Sequence, residues 1–253
     1  MFPPDSPLVH AVVPAPNREP RRDGASPDML LLHYTGMASG AAALARLTAR
    51  EFGVSAHYLV DTDGRILQLV PESERAWHAG EAAWAGTRDI NSCAIGVEIV
   101  NPGHDLGYPD FPAAQIEAVV ALCRDILARR AIAPARVLAH SDVAPGRKQD
   151  PGEKFPWARL AAAGIGLWVA PAPIVDGPAL APGDTGAEVA ALQRALSGVG
   201  YSLAVNGSYD AATRDVVAAF QRHFRPALVD GRADASTAET LHRLREAAMG
   251  GGS

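Results

Sequence analysis

Two histidines stand at the ends of apolar runs, His33 after "MLLL" and His140 after "RVLA". Strand ends that feed loops are where a rigid scaffold presents functional groups. Asp150 follows His140 in the loop "HSDVAPGRKQDPGEKFPW", which proline and glycine stiffen. Two histidines and one carboxylate are a common catalytic zinc set that leaves a fourth position open for water. Bound water is acidified there and attacks at neutral pH. Glu98 lies in the apolar run "CAIGVEIVN", whose alternation puts Ile95, Val97 and Ile99 on one face and Ala94, Gly96, Glu98 and Val100 on the other. A carboxylate in so apolar a strand is costly unless paired or functional, and a general base would be such a function. Lys148 is two residues before Asp150, and an ammonium beside a metal can meet the oxyanion of a tetrahedral intermediate. Each residue also has a quieter reading. The histidines could be satisfied core residues, Glu98 half of a buried ion pair, and Lys148 a solvated surface charge.

The elements that must position these groups can be read in outline. "DMLLLHY" suits a buried strand, and Ser39 can cap a helix through "GAAALARLTAR". "SAHYLVDTDGRILQLV" reads as a hairpin turning at Asp63-Gly64, and residues 93–101 as another strand. A helix begins near Pro112, with apolar residues at Ile116, Val119, Val120, Cys123, Ile126 and Leu127. "RVLAH" is a last strand, and "PWARLAAAG" a short closing helix. Strands alternating with helices predict an α/β fold, a mixed central sheet flanked by helices.

Residues 1–27, rich in proline and arginine, read as an irregular arm, and 166–179 as a Pro/Gly-rich linker. Beyond it lies a repeat. Asn206-Gly207, Asp210 and Thr213 recur 24 positions later as Asp230-Gly231, Asp234 and Thr237. Each unit is a turn, a helix start and an apolar helix face, and "AEVAALQRALSGVG" supplies a third helix. Residues 180–247 are therefore expected to fold separately as a small three-helix bundle. The aspartates of this repeat and of "DTDG" read as turn chemistry, because the later ligands of a calcium loop are missing.

The composition excludes some partners. The 253 residues carry a net charge of −5, whereas a surface that tracks phosphates is basic, so no nucleic acid is expected. No apolar run reaches the ~20 residues of a membrane span. Cys93 and Cys123 lie in apolar periodic segments and read as two buried free thiols. The opening segment has short apolar pieces cut by Pro and His, with its arginines after them, which is unlike a secretory signal. That predicts a cytoplasmic protein. His10, His104, His223 and His242 read as surface groups, and His57 as core or as support for the site.

Four ordered blocks, "LLLHYTG", "SAHYLVDTDGRILQLVPESERAWHAG", "NSCAIGVEIVN" and "AHSDVAPGRKQDPGEKFPW", resemble the zinc-dependent N-acetylmuramoyl-L-alanine amidases, which share a fold with the peptidoglycan recognition proteins. The resemblance covers residues 28–165. The segment with "GDTGAEVAALQRAL", "NGSYDAATRDVVAAFQ" and "DGRADASTAETL" resembles the peptidoglycan-binding module attached to cell-wall hydrolases. The resemblance implies one Zn²⁺ on His33, His140 and Asp150, with Glu98 as catalytic glutamate and Lys148 as loop lysine. It implies hydrolysis of the amide between the lactyl group of N-acetylmuramic (or anhydromuramic) acid and L-alanine of the stem peptide. In "RAWHAG", Trp77 and His78 would line the groove, and Asn91 would join them. The partners would be peptidoglycan or muropeptide fragments, and the protein a monomer. Two alternatives are a recognition protein that binds without cutting, which typically lacks a ligand, and a zinc endopeptidase. A cytosolic amidase of this kind would act on recycled anhydromuropeptides. The wall-binding module argues instead for the periplasm and intact sacculus.

Overall fold

The computed structural model describes residues 2–250. In chain order the strands are β1 (Ala11–Val12), β2 (Arg18–Pro20), β3 (Met29–Tyr34), β4 (Tyr58–Val60), β5 (Ile66–Gln68), β6 (Glu74–Ala76), β7 (Ala94–Ile99) and β8 (Val137–Ala139). The helices are α1 (Gly40–Leu47), α2 (Ile90–Cys93), α3 (Ala113–Arg129), α4 (His140–Val143), α5 (Trp157–Ala162), α6 (Ala187–Val199), α7 (Ala211–Phe224) and α8 (Ala235–Gly250). Six strands form one mixed sheet in the order β1-β5-β4-β7-β3-β8, antiparallel only at the β4–β5 hairpin.

The alternation read in residues 94–100 sets the two faces. Ile95, Val97 and Ile99, with Leu30 and Leu32 of β3, pack under α3 against Ile116, Val119, Leu122, Cys123 and Ile126. Ser39 caps α1 by accepting from Ala42 N–H at 3.2 Å.

The first 27 residues are not irregular throughout. β1 extends the sheet beside β5, and β2 pairs with β6 in a two-stranded ribbon. Pieces of two and three residues between prolines are too short to show a strand period, although they form good edge pairs.

The three-helix bundle has the expected repeat. Asp210 and Asp234 each accept from the N–H three residues on, at 2.8 Å and 2.7 Å, so both are helix caps. Gln193 and Gln221 each brace one repeat, Gln193 reaching Asn206 and Thr213, Gln221 reaching Asp230 and Thr237. The bundle does not stand off on its linker. Met29, Leu31, Ala94, Leu138 and Val143 share one buried cluster with Val189, Tyr201, Val216, Val217 and Phe220. The linker is stapled as well, with Ala172 N–H donating to Thr240 Oγ1 at 3.0 Å and Ser236 O–H to the Ala172 carbonyl at 2.7 Å. Both cysteines are free, Cys123 buried and Cys93 partly exposed. Among the described residues no helix is long and apolar enough to cross a membrane.

Candidate metal and catalytic centre

β3 and β7 run parallel in a register that pairs His33 with Glu98. β8 lies on the other side of β3 and delivers His140 at the first position of α4. The Pro/Gly loop then turns back, and Ser141 N–H donates to the Asp150 carbonyl at 3.0 Å. A cis peptide bond joins Asp150 to Pro151. The result is a tight convergence of three buried groups. His33 Nδ1 and His140 Nδ1 are 2.9 Å apart, and each is 3.0 Å from Asp150 Oδ2.

The outer nitrogens decide what these atoms can be. His140 Nε2 lies 2.9 Å from the Ala79 carbonyl, so it carries the proton and its Nδ1 is bare. His33 Nε2 lies 3.1 Å from His78 Nδ1, and a proton on Nε2 donates along that line. Two imidazole lone pairs and a carboxylate oxygen then face each other within 3.0 Å. Three acceptors so placed repel unless a cation lies among them, and N,N,O donors of this kind suit zinc. The residues therefore fit the metal that the family resemblance implies. In the metal-free protein, burial first, and then repulsion from His140 when that ring is protonated, depress the His33 pKa to about 4. Burial alone would raise Asp150, but a proton shared with either imidazole, by its charge and hydrogen bond, holds the carboxylate ionised below the usual range.

Glu98 stands beside the triad. Its Oε2 is shielded from solvent and has no hydrogen-bond partner among the described residues. Burial and then the charge of Asp150 push its pKa well above the ordinary carboxyl value, with Lys148 opposing. This is the environment of a proton shuttle rather than of an ion pair. Lys148 and Glu98 both line a polar cleft of about 360 Å³ with Tyr34, Trp77, His140 and Asp150.

One residue expected in the groove lies behind it. Asn91 is buried, and its Oδ1 accepts from the N–H groups of His78 at 3.0 Å and Ala79 at 2.8 Å. It fastens the segment that supports both histidines of the triad. His78 reaches the cleft but is itself buried, its ring lying over Gly96, where a Cβ would sit 2.5 Å from the ring. The space left by that glycine is filled by His78, which backs His33. Trp77 does line the cleft. His57 is buried and supports β7, its Nδ1 accepting from Gly96 N–H at 3.0 Å.

Other contributors were not singled out in the sequence. Arg147 donates to the Ala79 and Glu81 carbonyls, each at 2.6 Å from Nη2, and so ties the ligand loop to the segment opposite. His104 is not a free surface group. It lies 3.0 Å from Tyr34 Oη and 3.1 Å from Glu153, with Tyr108 stacked on it at 4.2 Å. His223 is buried, with Nδ1 2.7 Å from Asp142. It lies on the same helical face as Val216 and Phe220, a signal that the sequence did contain.

Comparison with known proteins agrees with this geometry. Residues 23–153 match the model of the N-acetylmuramoyl-L-alanine amidase family, and residues 185–241 match the putative peptidoglycan binding domain. The chain is 40% identical over 230 residues to N-acetylmuramoyl-L-alanine amidase AmiD of Escherichia coli, an alignment covering 86% of this chain and 82% of that protein. It is 33% identical to the 1,6-anhydro-N-acetylmuramyl-L-alanine amidase AmpD of Citrobacter freundii, over 59% of this chain and 87% of that one. Among solved structures, it superposes on E. coli AmiD bound to its substrate anhydro-N-acetylmuramic acid-L-Ala-D-γ-Glu-L-Lys with a TM-score of 0.75 and 39% identity, covering 87% of this chain and 89% of the other. AmpDh3 of Pseudomonas aeruginosa in complex with anhydromuramic pentapeptide matches with a TM-score of 0.72 and 34% identity, over 87% and 91%. A buried two-histidine, one-carboxylate centre beside an unpaired glutamate, on a sheet with these relatives, makes the chain a member of the N-acetylmuramoyl-L-alanine amidase family.

Proposed function

We propose that this amidase is zinc-dependent, and that it cleaves the amide between the lactyl group of an N-acetylmuramic or 1,6-anhydro-N-acetylmuramic residue and L-alanine of the stem peptide. His33, His140 and Asp150 would hold the metal. A zinc ion there supplies Lewis-acid polarisation of the scissile carbonyl and acidification of the attacking water. The remaining work falls to the chain's own side chains. Glu98, with its lifted pKa and free Oε2, takes a proton from the water and returns it to the departing alanine nitrogen. Lys148, which lines the same cleft, meets the negative charge that develops on the carbonyl oxygen. His78 and Asn91 keep His33 and the Ala79 carbonyl in place, and Trp77 contacts substrate. On this reading residues 28–165 carry the chemistry and residues 180–247 grip the wall fragment.

One observation carries the proposal. Three acceptor atoms converge within 3.0 Å beside a half-buried carboxylate whose Oε2 is shielded from solvent and has no partner among the described residues. Mass spectrometry of digested muropeptides tests it. Free stem peptides beginning at L-alanine, together with peptide-free glycan, are expected. Retention of intact muropeptide without cleavage would make this a recognition protein, and cuts within the stem would make it an endopeptidase.

A further inference from the structure

Two of the three candidate ligands depend on a single helical turn. α4 has four residues, starts with His140 and is bonded to Asp150 through Ser141. One turn has little intrinsic stability, so its direction is set by whatever holds it. Asp142 holds it, and is fully buried. Its Oδ2 accepts from the Ala139 N–H at 2.8 Å, which closes the start of the turn. Its remaining capacity goes to the C-terminal bundle. Oδ1 accepts from the Tyr201 hydroxyl at 2.8 Å, and Oδ2 from His223 Nδ1 at 2.7 Å.

Both bundle residues are rigidly mounted. The His223 ring is stacked between Trp157 at 3.8 Å and Phe224 at 3.9 Å. Tyr201 packs edge-on to Trp84 at 4.9 Å, and the Ala85 N–H donates to the Gly200 carbonyl at 2.7 Å. The segment after Ala79, which accepts from His140, is thereby tied to the bundle as well. It also reaches α4 directly, with Ala83 N–H donating to the Val143 carbonyl at 2.8 Å.

We propose that Tyr201 and His223 are positioning residues for the metal centre: by clamping Asp142 from the bundle they set the direction of His140 and the loop that carries Asp150. The bundle is then a structural half of the active site as well as a grip for the wall. This inference rests on the proposed metal reading of His33, His140 and Asp150. Such sites tolerate displacement of only about 0.5 Å, and loss of an outer partner typically costs 10–100-fold in metal affinity.

The test is zinc affinity of the full chain by competition with a chromogenic chelator, with folding followed by circular dichroism. Tyr201→Phe removes one hydroxyl and is expected to weaken zinc binding about 10-fold, and His223→Leu about 10-fold or more. His223→Asn keeps a donor near the Nδ1 position and is expected to recover most of the loss. Leu241→Ala, in the bundle core and lining a cavity that includes neither Tyr201 nor His223, controls for general loosening. It should lower the melting temperature and leave zinc affinity unchanged. If Tyr201→Phe and His223→Leu hold zinc like the wild type, the clamp is refuted while the metal site stands. If Leu241→Ala weakens zinc as much as they do, the effect is global stability and the clamp is again refuted. Should His223→Leu fail to fold, Tyr201→Phe against Leu241→Ala decides alone. A wild-type chain that binds no zinc overturns the metal reading itself.

Discussion

Glu98→Gln separates chemistry from stability. The two side chains are nearly isosteric, and Oε2 has no partner to lose. In the metal-free protein the carboxylate is ionised at pH 8 only against burial and the nearby Asp150 charge, which raise its pKa. The sign follows from linkage. A folded-state pKa above the unfolded value means that stability is lost as pH rises through the folded pKa, at up to about 1.4 kcal/mol for each pH unit between the two pKa values. Glutamine does not ionise, so it escapes that loss. The metal-free variant should therefore melt no lower than wild type at pH 8, and its advantage should shrink as pH falls to 5. Its kcat should fall roughly 10²–10⁴-fold, the usual contribution of a general base, with zinc content unchanged. Thermal melts at the two pH values, rates on a soluble anhydromuropeptide and metal analysis form one experiment. A zinc-loaded variant turning over at near wild-type rate would refute the assignment of Glu98 as the base.

Lys148→Met is expected to keep its zinc and lose about 10²–10³-fold in kcat, the scale of one oxyanion donor; an unchanged rate would remove Lys148 from the mechanism. Burial, and then the charge of Arg21, hold His57 neutral with its pKa depressed to about 3, so its stabilisation is present above pH ~6.5 and is lost as pH falls towards 3. Between pH 7 and 5 the wild type should lose about 2 kcal/mol more than His57→Gln in denaturant titrations; parallel curves would contradict this. Cutting the chain after residue 165 would uncover Leu31, Leu138 and Val143 and strip Asp142 of Tyr201 and His223, so the remnant should aggregate or bind the dye ANS; a soluble, cooperatively melting fragment with native zinc affinity would show that the bundle is dispensable.

The sequence was most legible where one strand carries its own pattern. The alternation around Glu98 gave both faces of β7 correctly, because a period of two needs only six residues and no knowledge of neighbours. His33 and His140 could be singled out because apolar runs end at them. That His33 pairs with Glu98 was not readable, since register between strands 65 residues apart in sequence is fixed by tertiary packing. The placement of Asn91 behind the cleft was hidden for a related reason. A side chain that caps a backbone segment looks, in sequence, like one that faces a ligand. The bundle's helices were visible from their caps and repeat. Its shared core with the sheet was not, because helix amphipathicity shows which face is buried but not against what. The buried Asp142 clamp, joining residues 59 and 81 positions apart, is the extreme case.

The central claim is that His33 Nδ1, His140 Nδ1 and Asp150 Oδ2 hold the metal on which hydrolysis depends. The most direct test is metal analysis of the purified chain by mass spectrometry, coupled to the hydrolysis rate on an anhydromuropeptide before chelation, after it and after zinc is restored. The expected result is one zinc per chain, loss of both metal and activity on chelation, recovery of both on addition of zinc, and no stoichiometric zinc in His33→Ala, His140→Ala or Asp150→Ala. Full activity in metal-free protein, or a stoichiometric metal that survives all three substitutions, would contradict the account.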